Sequence, residues 1–321
     1  MSSLQNTVER AASAPGHSET LAHRGLRPAL SQVFPLLLAV GSDEFADAAI
    51  RVTAALARKK GAVPTVVQAL GADRETENVI APFVGTIVEA SLSPEFRSGC
   101  RDSLQKLVGS IAGPVQWRFE VDDRAAADAV MDVARQLQPE LIVMGLRHHG
   151  VLHRAVSRDL LRAVVRSTRL PVLAVRPALW DLPSRIVVAV DFGEASIHAA
   201  LMARQLLAAG GEMHLVHVAT DYPDGSAQST STFAIRAGHS VRERLDRLAE
   251  DLSPEPGMTI VSEPADGDTV LTIKGCAERI DADLIAVGSD HHSPLERLLS
   301  GSVSMALAHT ARWSMLIVPG R

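Results

Sequence analysis

The two halves of this 321-residue chain repeat one order of short apolar segments. Three pairs of segments match: Glu140–Gly145 with Asp283–Gly288, Leu170–Val175 with Trp313–Val318, and Leu36–Val40 with Ile186–Val190. The first two pairs share one offset, because 283 − 140 and 313 − 170 both equal 143. Self-similarity at a long fixed spacing predicts that one folding unit occurs twice.

The matching segments are typical of strands in a parallel sheet. Each is a short, continuous apolar run, as expected for a strand buried on both faces. Helical patterns separate the runs, for example at Phe45–Lys59, Arg124–Gln136, Ala195–Ala208 and Val241–Leu252. We predict four helices between the strands of the second half and a similar arrangement in the first. We predict strands near 36–40, 63–69, 115–121, 140–145 and 171–175, and again near 186–190, 213–218, 258–263, 283–288 and 314–318. This alternation predicts an α/β fold of two tandem, open, five-stranded parallel-sheet domains.

Composition shifts suggest the domain boundaries. Residues 1–32 are mixed and polar, without the apolar core of a signal peptide, and we interpret them as a partly disordered leader. The segment Pro177–Ser184 has two prolines and no periodicity, which predicts a linker at 178–184. The predicted domains are therefore 33–177 and 185–321.

Charge and composition argue against several classes of partner. The net charge is −5 and aromatic residues make up 3% of the chain, so neither a basic surface nor base stacking favours nucleic acid. The longest apolar run, Phe34–Val40, is far shorter than the ~20 residues of a membrane-spanning helix. Cys100 and Cys276 lie in different halves without metal-ligand spacing, which predicts two inert core thiols and a reducing cytoplasm, with a disulfide as the alternative.

Polar and glycine residues follow the first and fourth predicted strands of the second half. In an open parallel sheet, ligands bind beyond the carboxyl ends of the strands, where the strand order reverses. Asp191 follows the first strand there, and its carboxylate suits a ribose or an adenine. Gly288 ends the fourth strand, and Gly301-Ser302 begins a predicted helix whose N–H groups suit phosphate. The spacing alone fits equally well with turn glycines and an ordinary N-cap serine.

Three stretches resemble the universal stress protein family. They are Ala189–Ser196 (AVDFGEAS), His214–Val218 (HLVHV) and Gly301–Gly320 (GSVSMALAHTARWSMLIVPG), and the resemblance covers both halves, roughly residues 33–177 and 184–321. It implies Rossmann-like domains of the adenine nucleotide alpha hydrolase-like class. ATP-binding members carry the motif G-x2-G-x9-G-[ST], and the second half matches three of its four positions.

The resemblance also implies which residues bind ATP, with or without Mg²⁺. Val190 and Val218 would lie by the adenine, and Asp191 falls at the family's strand-one aspartate. The phosphate side would be formed by Gly288, His291, Gly301, Ser302, Val303 and Ser304. His291 replaces the second glycine of the motif, and it either crowds the phosphates or, as a cation, helps to hold them.

The first half departs further from the family motif. Gly41 replaces the strand-one aspartate, and Arg158-Asp159 replaces the Gly-Ser pair. A carboxylate where phosphate oxygens should lie is repulsive. We therefore expect a degenerate, empty site in this half.

As a family member, the chain would be a cytoplasmic stress-response regulator that binds nucleotide and is not a dedicated enzyme. The resemblance implies that its domains pair through their last strands, Pro171–Val175 and Met315–Val318. It also implies a homodimer and a regulatory protein partner. A nucleotide-free interaction scaffold is the alternative, and a slow ATPase or self-phosphorylating protein is a third hypothesis.

Histidines give weaker signals of metal binding. His148-His149 and His291-His292 occupy equivalent places in the repeats, and we interpret them as exposed loop residues rather than zinc or nickel ligands. His214 and His217 stand three residues apart on a strand and so face opposite sides of the sheet. We expect them to be packing groups, or groups that hold ligand-contacting residues in place, rather than a pair of metal ligands.

Overall fold

The computed structural model describes residues 34–41, 46–70, 93–146, 153–219, 231–252, 255–289 and 312–320, with side chains except at 153–159 and 231–239. The predicted leader, residues 1–32, lies outside these ranges.

Strands and helices alternate in both halves. The N-terminal half contains β1 (Leu36–Val40), α1 (Ala46–Lys60), β2 (Thr65–Ala69), α2 (Pro94–Ala112), β3 (Arg118–Asp122), α3 (Ala126–Leu137), β4 (Leu141–Gly145), α4 (His153–Ser167) and β5 (Val172–Val175). The C-terminal half contains β6 (Arg185–Ala189), α5 (Glu194–Leu206), β7 (Glu212–Ala219), α6 (Ser231–Asp251), β8 (Thr259–Asp266), α7 (Thr269–Arg279), β9 (Leu284–Ser289) and β10 (Ser314–Pro319). All ten predicted strands are confirmed, with ends that shift by a few residues. The helix predicted after Ser302 lies outside the described residues.

All ten strands belong to one sheet, in the order β3-β2-β1-β4-β5-β10-β9-β6-β7-β8. Neighbouring strands within each half are parallel, whereas β5 and β10 pair antiparallel and join the halves. The pairing of the last strands is therefore present, as the resemblance implied. It leaves β5 and β10 each paired on both sides, so that neither is an open sheet edge.

The core lies on both faces of this sheet, which is why the central strands are apolar without interruption. All five residues of β1 are buried. Leu36 and Leu38 pack in one cluster, and Leu37 and Ala39 pack in a second cluster that includes α3. Alternate residues of a strand point to opposite faces, so helices on both faces require apolar residues at every position.

Helix α2 lies between β2 and β3, where the likeness of the two halves predicts a helix. It begins at the N-cap Ser93, whose Oγ accepts a hydrogen bond from the backbone N–H of Phe96. Only Leu104 and Val108 of this helix are buried, so its apolar stripe is narrow.

Both cysteines are free thiols. Cys276 is buried as predicted, whereas Cys100 in α2 is partly exposed. Among the helices that the structure describes, none combines the length and the apolar character needed to cross a membrane.

Candidate functional site

The strand order of the C-terminal half reverses between β6 and β9. β6 comes first in this half, yet its neighbours are β7 on one side and β9 on the other. After β6 the chain continues toward β7, and after β9 it continues toward β10, so it leaves these two neighbouring strands in opposite directions across the sheet. This divergence opens the crevice where ligands of open α/β sheets bind.

Asp191 forms the turn that leads from β6 into α5. Its Oδ1 accepts a hydrogen bond of 2.8 Å from the backbone N–H of Gly193, the N-cap residue of α5. The backbone N–H of Asp191 donates to the Oγ of Ser196 over 3.3 Å. Asp191 is exposed. The same carboxylate thus shapes the turn and faces solvent at the crevice.

Three side chains of different chemistry stack beside this turn. Phe192 has a backbone φ of 63°, in the left-handed region that non-glycine residues seldom adopt. Its ring centroid lies 4.9 Å from that of His217, and the Arg244 Cζ lies 3.8 Å from the Phe192 centroid. His217 Nδ1 donates over 2.7 Å to the carbonyl of Val190. Sequence reasoning missed Phe192 and Arg244. Arg244 lies in a helix without a recognisable motif, so its own sequence segment does not indicate that it contacts Phe192.

The two valines predicted beside the adenine lie at neighbouring strand ends. Val190 is buried, and its backbone N–H donates to the carbonyl of Val216 over 2.8 Å. Val218 is partly buried against a cluster that includes Cys276 of α7, on the other face of the sheet. The structure therefore brings their backbones together but sends their side chains to opposite faces.

Gly288 has a packing role of its own. A Cβ added here would lie 2.4 Å from the backbone N of Ser196 and 2.5 Å from the carbonyl carbon of Ala195. The first turn of α5 therefore packs directly on the backbone of β9. The role of Gly288 in ligand binding stays a prediction.

The remaining predicted ligand contacts and the paired histidines lie outside the described residues: His291, Gly301, Ser302, Val303, Ser304, His148, His149 and His292. In the N-terminal half, exposed Gly41 follows β1 as Asp191 follows β6. Arg158 and Asp159 fall within α4, where only the backbone is described.

Comparison with known proteins identifies the repeat. The chain matches the universal stress protein family twice, at residues 34–176 and 183–319. A universal stress protein from Methanocaldococcus jannaschii is 28% identical over 145 residues, which cover 43% of this chain and 83% of that protein.

Two solved structures share the fold across most of the chain. A universal stress protein from Archaeoglobus fulgidus superposes with a TM-score of 0.59 at 17% identity, covering 89% of this chain and 96% of that one. A protein from Pseudomonas aeruginosa, described as a putative universal stress protein, gives a TM-score of 0.59 at 15% identity, with 89% and 93% covered.

Proposed function

Because this chain belongs to the universal stress protein family, we propose that its C-terminal half binds ATP and that nucleotide occupancy changes its state or its partners in a stress response. The observation that carries this proposal is the meeting of Asp191 and Gly288 at neighbouring strand ends. Those two ends flank the point where the strand order reverses.

The chemistry of the crevice suits a nucleoside. Asp191 uses Oδ1 for the turn, and an ionised carboxylate accepts several hydrogen bonds, so acceptor capacity is left for ribose hydroxyls. Arg244 stacks on Phe192, the residue after Asp191, and so brings a cation to the same end of the sheet. A guanidinium there complements the negative charge of a phosphate chain.

The proposal places the phosphates, with or without Mg²⁺, by the segment from Gly288 to Ser304. Gly301-Ser302 supplies backbone N–H groups and a hydroxyl, and His291 stands where the family motif has its second glycine. The N-terminal half has Gly41 in place of the carboxylate and Asp159 in place of the serine. We therefore expect one nucleotide per chain.

Calorimetric titration of nucleotide-free protein with Mg-ATP tests the proposal. The expected stoichiometry is about one per chain. Asp191→Asn should weaken binding at least tenfold, which equals about 1.4 kcal/mol. Asp266→Asn is the matched control, because this exposed carboxylate ends β8, two strands away at the same end of the sheet. It should bind like wild type.

The other outcomes separate the alternatives. Two binding sites per chain would mean that the N-terminal half also binds ATP. No binding would overturn the proposal and favour the nucleotide-free scaffold. ATP hydrolysis above buffer that is lost in His291→Ala would favour the ATPase.

The proposal includes association of two tandem chains into a homodimer and a regulatory protein as partner. The free thiols of Cys100 and Cys276 support a reducing compartment, the cytoplasm, as its location.

A further inference from the structure

A cluster of three metal-ligand side chains lies on the face of the C-terminal sheet that α7 covers. His214 comes from β7, Glu263 from β8 and Cys276 from α7. One potential ligand atom of each lies within 4.8 Å of the others. His214 is 4% exposed and Cys276 is 6% exposed. The cluster belongs neither to the turn at Asp191 nor to the stack of Phe192, His217 and Arg244.

We propose that this cluster binds a zinc-class divalent transition metal ion through His214 Nδ1, Glu263 Oε1 and Cys276 Sγ, with water as the fourth ligand. Imidazole nitrogen, thiolate sulfur and carboxylate oxygen together are zinc donors. Magnesium and calcium take oxygen ligands, so a sulfur and a nitrogen in one small site select against them.

In the structure, hydrogen bonds join the three side chains at the place where a bound metal ion would join them. His214 Nδ1 forms a hydrogen bond to Glu263 Oε1. Cys276 Sγ donates to Glu263 Oε2 over 3.5 Å. In a tetrahedral zinc site neighbouring donor atoms lie about 3.3–3.7 Å apart. The three potential ligand atoms lie within 4.8 Å of one another, so small shifts of the side chains would bring them to these separations.

One buried nitrogen of the cluster is left without a hydrogen bond. His214 Nε2 is buried and lies 2.9 Å from Glu212 Oε1, but without hydrogen-bond geometry. When a metal ion takes Nδ1, the imidazole proton resides on Nε2. Glu212 is then the carboxylate that receives this proton's hydrogen bond and orients the ring, as second carboxylates do at histidine-zinc sites.

Coordination also changes where protons lie. Cys276 binds a metal ion as the thiolate, so its proton is released to solvent, and a metal ion on Nδ1 of His214 requires the imidazole proton to be on Nε2. The groups that face the sulfur and the ring are Glu263, Arg279 and Glu212.

Arg279 stays compatible with the ion. Its guanidinium bonds Glu263 Oε2 and lies 3.3 Å from Cys276 Sγ, and its side chain is 56% exposed. Glu263 therefore holds Arg279 with one oxygen and leaves the other for the metal.

The N-terminal half offers an internal comparison. The strand registers and the 143-residue offset give Thr65, Glu120 and Val133 as the counterparts of His214, Glu263 and Cys276. The imidazole and the thiol are both replaced there, and only the carboxylate remains. Within the part of the chain that the structure describes, the proposed site therefore belongs to the C-terminal half alone.

Cobalt titration of the metal-free full chain tests the proposal. Co²⁺ replaces Zn²⁺ in such sites and gives a thiolate-to-cobalt charge-transfer band when sulfur is a ligand. Wild type should bind one Co²⁺ with this band, and one equivalent of Zn²⁺ should remove it. Cys276→Ser should abolish the band. Cys100→Ser is the matched control and should retain it.

Further variants keep the test independent of folding. If Cys276→Ser does not fold, His214→Gln should lower cobalt affinity at least ~10-fold, and Glu212→Gln should lower it ~10-fold through ring orientation. The proposal is overturned if folded wild type gives no thiolate band, if the band survives in folded Cys276→Ser, or if it disappears in Cys100→Ser.

Discussion

Leu173 in β5 lies directly opposite Leu316 in β10, and the two residues hold the same place in the two halves, since 316 − 173 = 143. Their neighbours repeat the relationship, with Met315 opposite Ala174 and Ile317 opposite Val172. An approximate twofold axis therefore passes between the two leucines and relates one half of the sheet to the other.

The junction between β5 and β10, at which Leu173 faces Leu316, should contribute strongly to the free energy of unfolding. Both leucines are almost fully buried, so Leu316→Ala removes packing that the site does not easily refill. We expect a loss of about 2–5 kcal/mol in the free energy of unfolding, measured with urea. In combination with Leu173→Ala, the losses should depart from additivity by about 0.5–3 kcal/mol.

The control for the junction is Leu107→Ala, because Leu107 in α2 is 38% exposed. It should change stability by no more than about 0.5 kcal/mol. Equal costs for Leu316→Ala and Leu107→Ala would contradict a buried junction.

Gly288→Ala should destabilise the fold. The new methyl group would meet the backbone of Ala195 and Ser196 well inside van der Waals contact, so α5 must move away from β9. We expect a cost of about 1–3 kcal/mol in thermal or urea unfolding. Gly99→Ala in α2 meets no atom within 4 Å and should instead stabilise by about 0.5–1 kcal/mol. The same sign for both variants would refute the close approach of α5 to β9.

The asymmetry of the two halves predicts opposite results for two motif variants. Gly301→Asp places a carboxylate in the proposed phosphate site, one residue before the position that corresponds to Asp159 of the N-terminal half, and should abolish ATP binding in calorimetry. Arg158→Ala changes the half that we expect to be empty and should leave the affinity unchanged. Equal losses of affinity in both variants would rule out the one-site proposal.

Protonation of Glu263 should contribute to the decrease in the free energy of unfolding at acidic pH. Burial raises the pKa of its carboxyl, but hydrogen bonds from Arg279 and His214 outweigh burial and hold the pKa below the ordinary 4.5. The folded state thus favours the carboxylate. Its stabilisation is present above pH 4.5 and is lost as the pH falls through the lower folded pKa.

Urea unfolding at several pH values measures this effect. Between about pH 5 and pH 3, the stability of wild type should fall more steeply than that of Glu263→Gln. Glu120→Gln, at the corresponding exposed position of β3, should keep the slope of wild type. A slope unchanged in Glu263→Gln would contradict the lowered pKa.

The sequence predicted the fold better than it predicted the surroundings of the site. Continuous apolar runs reveal the central strands, which are buried on both faces, and all ten strands lie close to their predicted positions. The resemblance supplied the pairing of β5 with β10. Helix α2 was expected only from its place between two strands, and its bounds were not predicted; only two of its residues are buried, so its apolar pattern is weak. Arg244 was missed because its place over Phe192 depends on how α6 packs, to which no local pattern points.

Local chemistry along the chain determined the repeat, the strands and the position of Asp191 after β6, since each is a property of neighbouring residues. Only the tertiary structure decided what His214, Glu263 and Cys276 form together. They are 49 and 13 residues apart, and each alone resembles an ordinary strand or helix residue. The register of β7 with β8 and the packing of α7 over both strands bring them within reach of one ion. A shift of one residue in either strand would turn its ligand to the other face of the sheet.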